Sequence, residues 1–304
     1  MSGNTRCALC GAESPVSVVA HDLNRGTSTE AFEYRECPVC QLMFLSNSPG
    51  DLSAHYPEGY VRPPRSMAVL QRIANDTRYQ LDLVLRYVTG GTLLEIGPGY
   101  GSFLWLAKSA GFQVKAIESD ASACEYLRRA VGADVVMSAA PQEVLAGVHE
   151  QYDVVVLWHS LEHLPAPWET LCRASQLLRT RGILVIATPN PAAWQFRRLG
   201  GYWPHVDAPR HLWLIPYGTL RDYLRPLGLV AAFATTGDRG GRRWDRFGWS
   251  QTLLNVHPRS LRHSWLARAV TRVLGSVVAT AVSPWEHADM RGSAYTAVFQ
   301  KREG

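Results

Sequence analysis

The chain has 304 residues, of which 46% are hydrophobic and 19% are charged, and its formal net charge is +5. This length allows one large domain with a sizeable core and a small appended domain, as in soluble enzymes. The first residues contain cysteines and no apolar run, and the longest late apolar stretch, 273–282, is about half a membrane span. We therefore expect no signal peptide, no transmembrane helix and a cytoplasmic location.

The first four cysteines predict a metal site at the start of the chain. They form two Cys-x-x-Cys pairs separated by 26 residues, each in a turn-like context: Cys7, Cys10, Cys37 and Cys40. Four thiolates at this spacing are typical of a closed, tetrahedral structural zinc site. Disulfides are the alternative, which a reducing compartment disfavours. We expect a zinc-binding ribbon over residues 1–48, and the scarcity of interleaved basic and aromatic residues there argues against nucleic-acid binding.

Residues 49–90 are interpreted as a linker with N-terminal helices, followed by a large domain over 91–304. That domain opens with an apolar strand at Thr92–Ile96, three glycines at alternate positions and a helix at 102–110. Glycines let the backbone approach a ligand closely, and the first N–H groups of the helix face an anionic group. The pattern predicts a nucleotide-type cofactor site, although Ser102 stands where a dinucleotide fingerprint requires glycine.

Further strands alternate with helices as far as residue 188. We predict strands at 111–118, 134–137, 152–158 and 182–188, and helices at 121–131 and 167–178. Continuous apolar strands separated by helices indicate an α/β fold with a doubly wound, Rossmann-like sheet, whose ligand lies at the carboxyl ends of the strands. Glu118 stands at such an end, about twenty residues after the first glycine, where a carboxylate accepts hydrogen bonds from both hydroxyls of a ribose.

Two more strands are predicted at 229–235 and 294–301, and the stretch between them, 237–292, is too long for a turn. We expect a lid or an acceptor-binding insertion there. Only Asp238 and Asp245 precede Glu286 as acids in this stretch, against eight arginines: Arg239, Arg242, Arg243, Arg246, Arg259, Arg262, Arg268 and Arg272. These arginines form a solvated basic face, or they attract an anionic acceptor such as a nucleotide- or diphosphate-linked molecule, or a membrane surface.

The glycine stretch, preceded two residues earlier by Glu95, resembles motif I of the class I S-adenosylmethionine-dependent methyltransferases. Together with the cysteine pairs and the stretches 158–164, 188–191 and 207–212, it makes the chain similar to zinc-ribbon-bearing small-molecule methyltransferases of bacterial biosynthetic clusters. That group includes sugar C- and O-methyltransferases, and its core is similar to that of ubiquinone-pathway O-methyltransferases. The resemblance implies a seven-stranded sheet with one antiparallel strand and S-adenosylmethionine as cofactor.

The resemblance also implies roles for single residues. The methionine and ribose end of the cofactor would be shaped by residues of the first strand and its turn: Glu95, Gly97, Gly99 and Gly101. Glu118 would bind the ribose hydroxyls, and Trp158 would complete the site at the end of the fourth strand. Tyr60 precedes the domain in a Tyr-x-x-x-Tyr segment. It would close over the cofactor, or it is an ordinary linker aromatic.

Several histidines are candidates for a general base, because histidine removes protons near neutral pH. His159 and His163 follow the fourth strand, and His205 and His211 lie in the loop after the fifth. His211 is the leading candidate, since related sugar enzymes place their acceptor-site histidine in the matching loop. A structural hydrogen-bonding role is the alternative for each of them.

The acceptor is expected to be a hydroxyl of a sugar or secondary metabolite. Sugar C-methyltransferases usually carry a further C-terminal domain and an acid before the acceptor-site histidine, whereas this sequence stops soon after residue 301 and has Arg210 before His211. A sugar C-methyltransferase acting on an acidic C–H remains one alternative. A cofactor-binding scaffold or regulatory protein, with the ribbon as its interaction module, is the other.

Overall fold

The computed structural model describes residues 5–57, 59–60, 62–256 and 264–303. These residues divide into two compact units, each assembled from separate stretches of the chain. The first holds the four N-terminal cysteines and is called the cysteine unit; it comprises the described parts of 1–57, 188–220 and 235–295. The second is called the sheet unit and comprises the described parts of 58–187, 221–234 and 296–304.

The strands of the described residues are, in chain order, β1 (Val16–His21), β2 (Ala31–Glu36), β3 (Met43–Leu45), β4 (Thr92–Ile96), β5 (Gln113–Glu118), β6 (Asp134–Met137), β7 (Tyr152–Trp158), β8 (Leu178–Pro189), β9 (Trp213–Leu214), β10 (Leu229–Thr235) and β11 (Ala294–Lys301). The α-helices are α1 (Met67–Asp76), α2 (Arg78–Leu85), α3 (Ser102–Ser109), α4 (Ala121–Tyr126), α5 (Pro141–Ala146), α6 (Pro167–Leu177), α7 (Trp194–Leu199), α8 (Tyr217–Leu224), α9 (Arg239–Asn255) and α10 (Trp265–His287).

Seven of these strands form one sheet in the order β10-β11-β8-β7-β4-β5-β6, with one antiparallel strand. The pairs β4–β5, β5–β6, β4–β7 and β7–β8 are parallel. Val154–Leu157 of β7 are completely buried, because a parallel sheet is covered by helices on both faces. This arrangement confirms the predicted α/β, Rossmann-like fold.

Most predicted element bounds agree with the structure to within two residues, and two elements differ by more. The helix predicted at 121–131 is an α-helix only over Ala121–Tyr126; residues 127–131 form a π-helical turn that ends at Gly132 in the left-handed conformation. The strand predicted at 182–188 begins earlier, at Leu178, because an irregularity in the pairing with β7 lets Leu178 face Tyr152 before the regular register starts at Ile183. Apolar periodicity alone does not reveal such irregularities.

A second, four-stranded sheet lies in the cysteine unit, in the order β1-β2-β3-β9. Met43 and Phe44 of β3 pair with Leu214 and Trp213 of β9 in an antiparallel ladder. Side chains from both parts of the chain share one apolar core, which includes Phe32, Tyr34, Met43, Trp203, Val206 and Leu214. The unit that holds the cysteines therefore includes the loop after β8, far away in sequence.

The stretch predicted to be a lid or insertion, 237–292, contains α9 and α10, which pack against each other in the cysteine unit. A Cβ atom at Gly275 of α10 would lie 2.5 Å from the backbone nitrogen of Ser250, so only glycine permits this approach. Two of its predicted basic residues, Arg259 and Arg262, lie outside the described residues. Among the described helices, one alone has the length and composition to cross a membrane: Trp265–Met290, with a mean hydropathy of 1.3.

Within the cysteine unit, a buried cluster of charged side chains joins the N-terminal segment to the loop after β8. The Arg210 side chain is fully buried, and its Nη2 donates to Asp22 Oδ1 at 2.7 Å and to Asp207 Oδ1 at 2.8 Å. Its Nη1 donates to the backbone carbonyl of His55 at 3.1 Å. Burial alone would raise the pKa of both carboxyl groups, but the hydrogen bonds and charge of Arg210 outweigh it, and both pKa values lie below the ordinary value.

We predict that Arg210→Gln lowers the free energy of unfolding by about 3–5 kcal/mol, because two buried carboxylates lose their counter-charge. Urea denaturation measures the change. Arg221→Gln is the matched control, since Arg221 pairs with Asp222 on the surface and its loss should leave stability nearly unchanged. Because the two carboxyl pKa values are lowered, the wild-type advantage should be complete at neutral pH and decline as the pH falls below about 4. An equal effect of both substitutions would contradict the assignment.

Candidate functional site

The turn after β4 has a backbone that only glycine adopts readily. Gly97, Gly99 and Gly101 have φ angles of 74°, 55° and 71°, in the left-handed region. A Cβ atom at Gly97 would lie 2.6 Å from Cβ of Ser160, whereas one at Gly99 would meet nothing within 4 Å. The turn is thus packed against the protein on one side and open at its middle, where a ligand can approach the backbone.

Glu118, at the end of β5, holds this turn from the neighbouring strand. Its Oε2 accepts a hydrogen bond from the backbone N–H of Gly99 at 2.9 Å. Its Oε1 accepts hydrogen bonds from the backbone N–H groups of Ser119 at 2.7 Å and Asp120 at 2.9 Å. The carboxylate is therefore fixed in position beside the glycine turn, as a group that binds ribose hydroxyls must be.

Glu95 of β4 is a buried carboxyl group with an unused oxygen. It is 2% exposed, and its Oε2 has no hydrogen-bond partner among the described residues. Burial, and secondly the negative charge of Glu118, raise the pKa of Glu95 to about 8. Such a group is satisfied by a cation or a hydrogen-bond donor that arrives with a ligand.

Trp158 and Tyr60 were also predicted to contact the cofactor. Trp158 ends β7 half-buried, packs against Phe103 with a ring separation of 5.5 Å, and has a buried indole N–H without a partner among the described residues. Tyr60 is half-buried. Two residues after it, the backbone N–H of Arg62 donates to the hydroxyl of Tyr100 in the glycine turn. This contact ties the segment near Tyr60 to the turn.

Of the candidate bases, His159 and His163 belong to the sheet unit. His159 follows β7 with a positive φ of 54°. Its Nδ1 lies 3.7 Å from Oε1 of Glu162, which is itself buried. His163 ends the short 3-10 helix Leu161–His163 and is half-buried. The structure thus brings His159 together with an acid that can orient its ring.

His211 lies in the cysteine unit, in the loop between β8 and β9. It is 8% exposed, and its Nδ1 lies 2.8 Å from the backbone carbonyl of His205. Its own carbonyl accepts a hydrogen bond from the hydroxyl of buried Tyr34 at 2.7 Å. A carbonyl can only accept, so Nδ1 carries the proton and Nε2 is the basic nitrogen.

His205, in contrast, has the surroundings of a structural residue. Its ring packs against Trp203, Trp244 and Phe247 at centroid distances of 4.9, 5.3 and 5.5 Å. Its Nε2 lies 3.1 Å from the backbone carbonyl of Trp244. Aromatic packing and a carbonyl partner account for this histidine without a role in proton transfer.

The four N-terminal cysteines form one cluster that could hold a metal ion. Their sulfur atoms all lie within 4.8 Å of one another. Cys7 Sγ is 3.5 Å from Cys40 Sγ, and Cys10 Sγ is 3.4 Å from Cys37 Sγ. Sulfur atoms bound tetrahedrally to one zinc lie about 3.8 Å apart, so the spacing fits a shared ion.

The two cysteine pairs also have matching backbones. The N–H of Gly11 donates to the carbonyl of Cys7, and the N–H of Gln41 donates to the carbonyl of Cys37, both at 2.9 Å. Gly11 and Gln41 both have a positive φ. In the second pair this conformation is adopted by a non-glycine residue, which tertiary contacts must stabilise.

A buried polar network was not predicted from the sequence. Gln195 of α7 donates from Nε2 to the carbonyl of Asp245 at 3.0 Å and to Oε1 of Glu286 at 2.8 Å. Trp249 Nε1 also donates to Glu286 Oε1, at 2.8 Å. Burial raises the pKa of Glu286 to about 7. In the sequence, the one indication of this network is Glu286, a single acid near the end of an apolar helix.

Comparison with known proteins agrees with this geometry. Residues 71–231 match a family model described as a methyltransferase domain, which is just over half of the chain. The ubiquinone biosynthesis O-methyltransferase of Saccharophagus degradans is 28% identical over 190 residues, covering 59% of this chain and 74% of that protein. The enzyme of the same description from Cereibacter sphaeroides is 26% identical over 204 residues, covering 64% and 79%.

Solved methyltransferase structures share the fold. A SAM-dependent methyltransferase from Archaeoglobus fulgidus has a TM-score of 0.50 at 18% identity, covering 75% of this chain and 94% of that one. A mycolic acid cyclopropane synthase complexed with SAH and CTAB has a TM-score of 0.51 at 15% identity, covering 74% and 84%. At these identities the likeness concerns the fold alone.

We predict that Glu118→Ala weakens S-adenosylmethionine binding by about 1.5–3 kcal/mol for each charge-assisted hydrogen bond lost, with the fold intact. Isothermal titration calorimetry measures the affinity, and thermal melting checks the fold. Asp120→Ala is the control, because the Asp120 side chain caps α4 by accepting from the N–H of Ala123 at 2.8 Å, whereas the glycine turn is held by Glu118. Unchanged affinity in Glu118→Ala would refute the ribose assignment.

Proposed function

We propose that this chain, which belongs to the methyltransferase-domain family and is an S-adenosylmethionine-dependent methyltransferase, methylates a hydroxyl group of a small molecule. We choose a hydroxyl as the acceptor because of the position of His211. Its Nδ1 lies 2.8 Å from a backbone carbonyl, so its Nε2 is the basic nitrogen. A hydroxyl is a poor nucleophile until its proton is removed, and an imidazole held in one orientation by a backbone carbonyl is suited to remove it.

The residues of the sheet unit fit the cofactor. Glu118 would bind the ribose hydroxyls, and the open backbone at Gly99 would lie along the methionine end. Glu95 has an unpartnered buried oxygen, which suits the ammonium group of the methionine part. Trp158 offers an unpartnered indole N–H, and Tyr60 would cover the site. When bound, S-adenosylmethionine supplies the methyl group of a sulfonium, and this group is transferred by in-line displacement. The main task of the protein is therefore to align donor and acceptor.

Two further considerations support an O-methyltransferase that acts on a sugar or secondary metabolite in the cytoplasm. The similar enzymes from Saccharophagus degradans and Cereibacter sphaeroides are described as O-methyltransferases. The sulfur atoms of the four N-terminal cysteines are arranged as a set of metal ligands rather than as two disulfides, which suits a reducing compartment. A screen of hydroxylated metabolites with an isotope-labelled methyl donor, read by mass spectrometry, tests the proposal; transfer to carbon or nitrogen alone would refute it.

If His211 is the base, His211→Ala should lower turnover by roughly 10² to 10⁴, while cofactor affinity stays within about twofold. Steady-state kinetics and calorimetry give the two quantities. His149→Ala is the matched control, because His149 is exposed. A loss of thermal stability with nearly unchanged turnover per folded molecule would show that His211 is structural and would move the role to His163 or His159.

We also propose that the cysteine cluster binds one structural zinc ion. The donor set is four thiolates, all positions are filled by protein, and the sulfur spacing suits a tetrahedral ion. Zinc would fix the two cysteine turns and, through them, β1–β3. With four thiolate ligands from the protein, the ion would have no open position for substrate and would take no part in methyl transfer.

Protein purified without chelator should contain one equivalent of zinc by metal analysis. A chelator should increase hydrogen exchange in β1, β2 and β3, while β4 and β7, which have their own sheet, keep their protection. Cys172→Ser is the control and should leave the zinc content unchanged, because Cys172 is not part of the cluster. Less than about half an equivalent, with all four thiols reduced, would contradict the zinc site.

A further inference from the structure

The outward face of α10 is apolar and exposed. Val273, Val277 and Leu266 are exposed by 64%, 60% and 56%, and Leu274 and Val270 by 50% and 47%. Positions 266, 270, 273 and 277 recur at helical spacing and lie on one side of the helix. Large apolar side chains that are exposed in a contiguous row mark an interaction surface, whereas single ones need no explanation.

The opposite face of α10 is packed against protein. Its buried positions include Thr271, Gly275 and Ala279, at intervals of four residues. The small residue at Gly275 brings the helix against Ser250 of α9. Since α9 carries exposed arginines, α10 cannot be surrounded by lipid chains on this side. A position in the membrane interface therefore suits this 23-residue helix better than a membrane span.

Within α9 and α10 the exposed charged side chains that the structure describes are all arginines, and exposed Asp289, two residues after α10, lies 3.6 Å from Arg291. The exposed arginines are Arg239, Arg242, Arg243, Arg246, Arg268 and Arg272. The acids of α9 and α10, Asp245 and Glu286, are both buried. Exposed indoles stand near the two ends of α10, at Trp265 and Trp285. Tryptophan rings favour the boundary between lipid headgroups and acyl chains.

We propose that the apolar face of α10 lies on an anionic lipid bilayer, with its valines and leucines at the headgroup–acyl boundary, and that the positive charge of the α9–α10 pair attracts the protein to the anionic surface. Exposed apolar area and basic charge are the two attractions that hold such helices in the interface. A second copy of the chain is a less suitable occupant. A symmetric contact through this face would bring two helix pairs of the same positive charge near each other, and this charge opposes their association.

Flotation with vesicles tests the docking surface. The full chain should bind vesicles of equal parts phosphatidylglycerol and phosphatidylcholine, and bind phosphatidylcholine alone much more weakly. The double substitution Val273→Glu/Val277→Glu should lower binding by about tenfold or more, because it places charge on the inserting face. The same change at Val16→Glu/Val19→Glu is the matched control: these valines are exposed by 42% and 51% on β1, and binding should be unchanged.

A second pair of substitutions measures the electrostatic contribution to vesicle binding. Arg268→Gln/Arg272→Gln should weaken binding to anionic vesicles about fivefold for each arginine, and added salt should weaken the wild type in the same direction. Thermal melting and cofactor binding confirm that each variant is folded.

Failure of the wild type to bind anionic vesicles would overturn the proposal, as would unchanged binding of the Val273→Glu/Val277→Glu variant. Sedimentation that shows a dimer converted to a monomer by that variant, without vesicle binding, would assign the face to a second copy.

Discussion

The hydrogen bond from the Gly99 N–H to Glu118 joins the ends of two neighbouring parallel strands, and the cofactor site depends on it. Parallel pairing of β4 with β5 brings both strand ends to one edge of the sheet. The glycine turn can then adopt its left-handed backbone because Glu118 holds its middle and Ser160 packs against its start. One acid thus supports the turn before any ligand arrives, and under the proposed function its two oxygens are already oriented for the hydroxyls of a ribose.

Glu95, at the same edge of the sheet, is a buried carboxyl group whose burial is unfavourable until a ligand binds. Its carboxyl group is buried beside another acid, which raises its pKa to about 8. A cationic ligand group would favour the ionised form and relieve the cost of burial. Sites with this property are found where a protein must recognise charge, since a buried carboxylate without a partner is costly in the folded state alone.

In the cysteine unit, Arg210 plays a comparable organising role. It connects Asp22 and the His55 carbonyl of the N-terminal segment to Asp207 of the loop after β8. The next residue, His211, is held through its ring by the His205 carbonyl and through its backbone by Tyr34. A candidate base on a long loop is thereby fixed by buried contacts, which is what proton transfer at a defined position requires. The arginine that stands directly before His211 therefore has a structural explanation.

The sequence by itself determined the features that repeat or are strictly local. Apolar strands of β4 to β8, the bounds of β10 and β11, the glycines at 97, 99 and 101 and the spacing of the cysteines follow from periodicity, backbone conformation and ligand chemistry. The α/β class followed from the alternation of apolar strands with helices, and S-adenosylmethionine followed from the resemblance of the glycine stretch to motif I of class I methyltransferases. The tertiary structure decided what depends on residues far apart in the chain. The pairing of β3 with β9, the burial of Arg210 between two aspartates and the Gln195–Glu286 network leave no local pattern, because a buried charge and an exposed one look alike in sequence. Which face of α10 is packed and which is exposed was decided in the same way, by the close approach of Gly275 to α9.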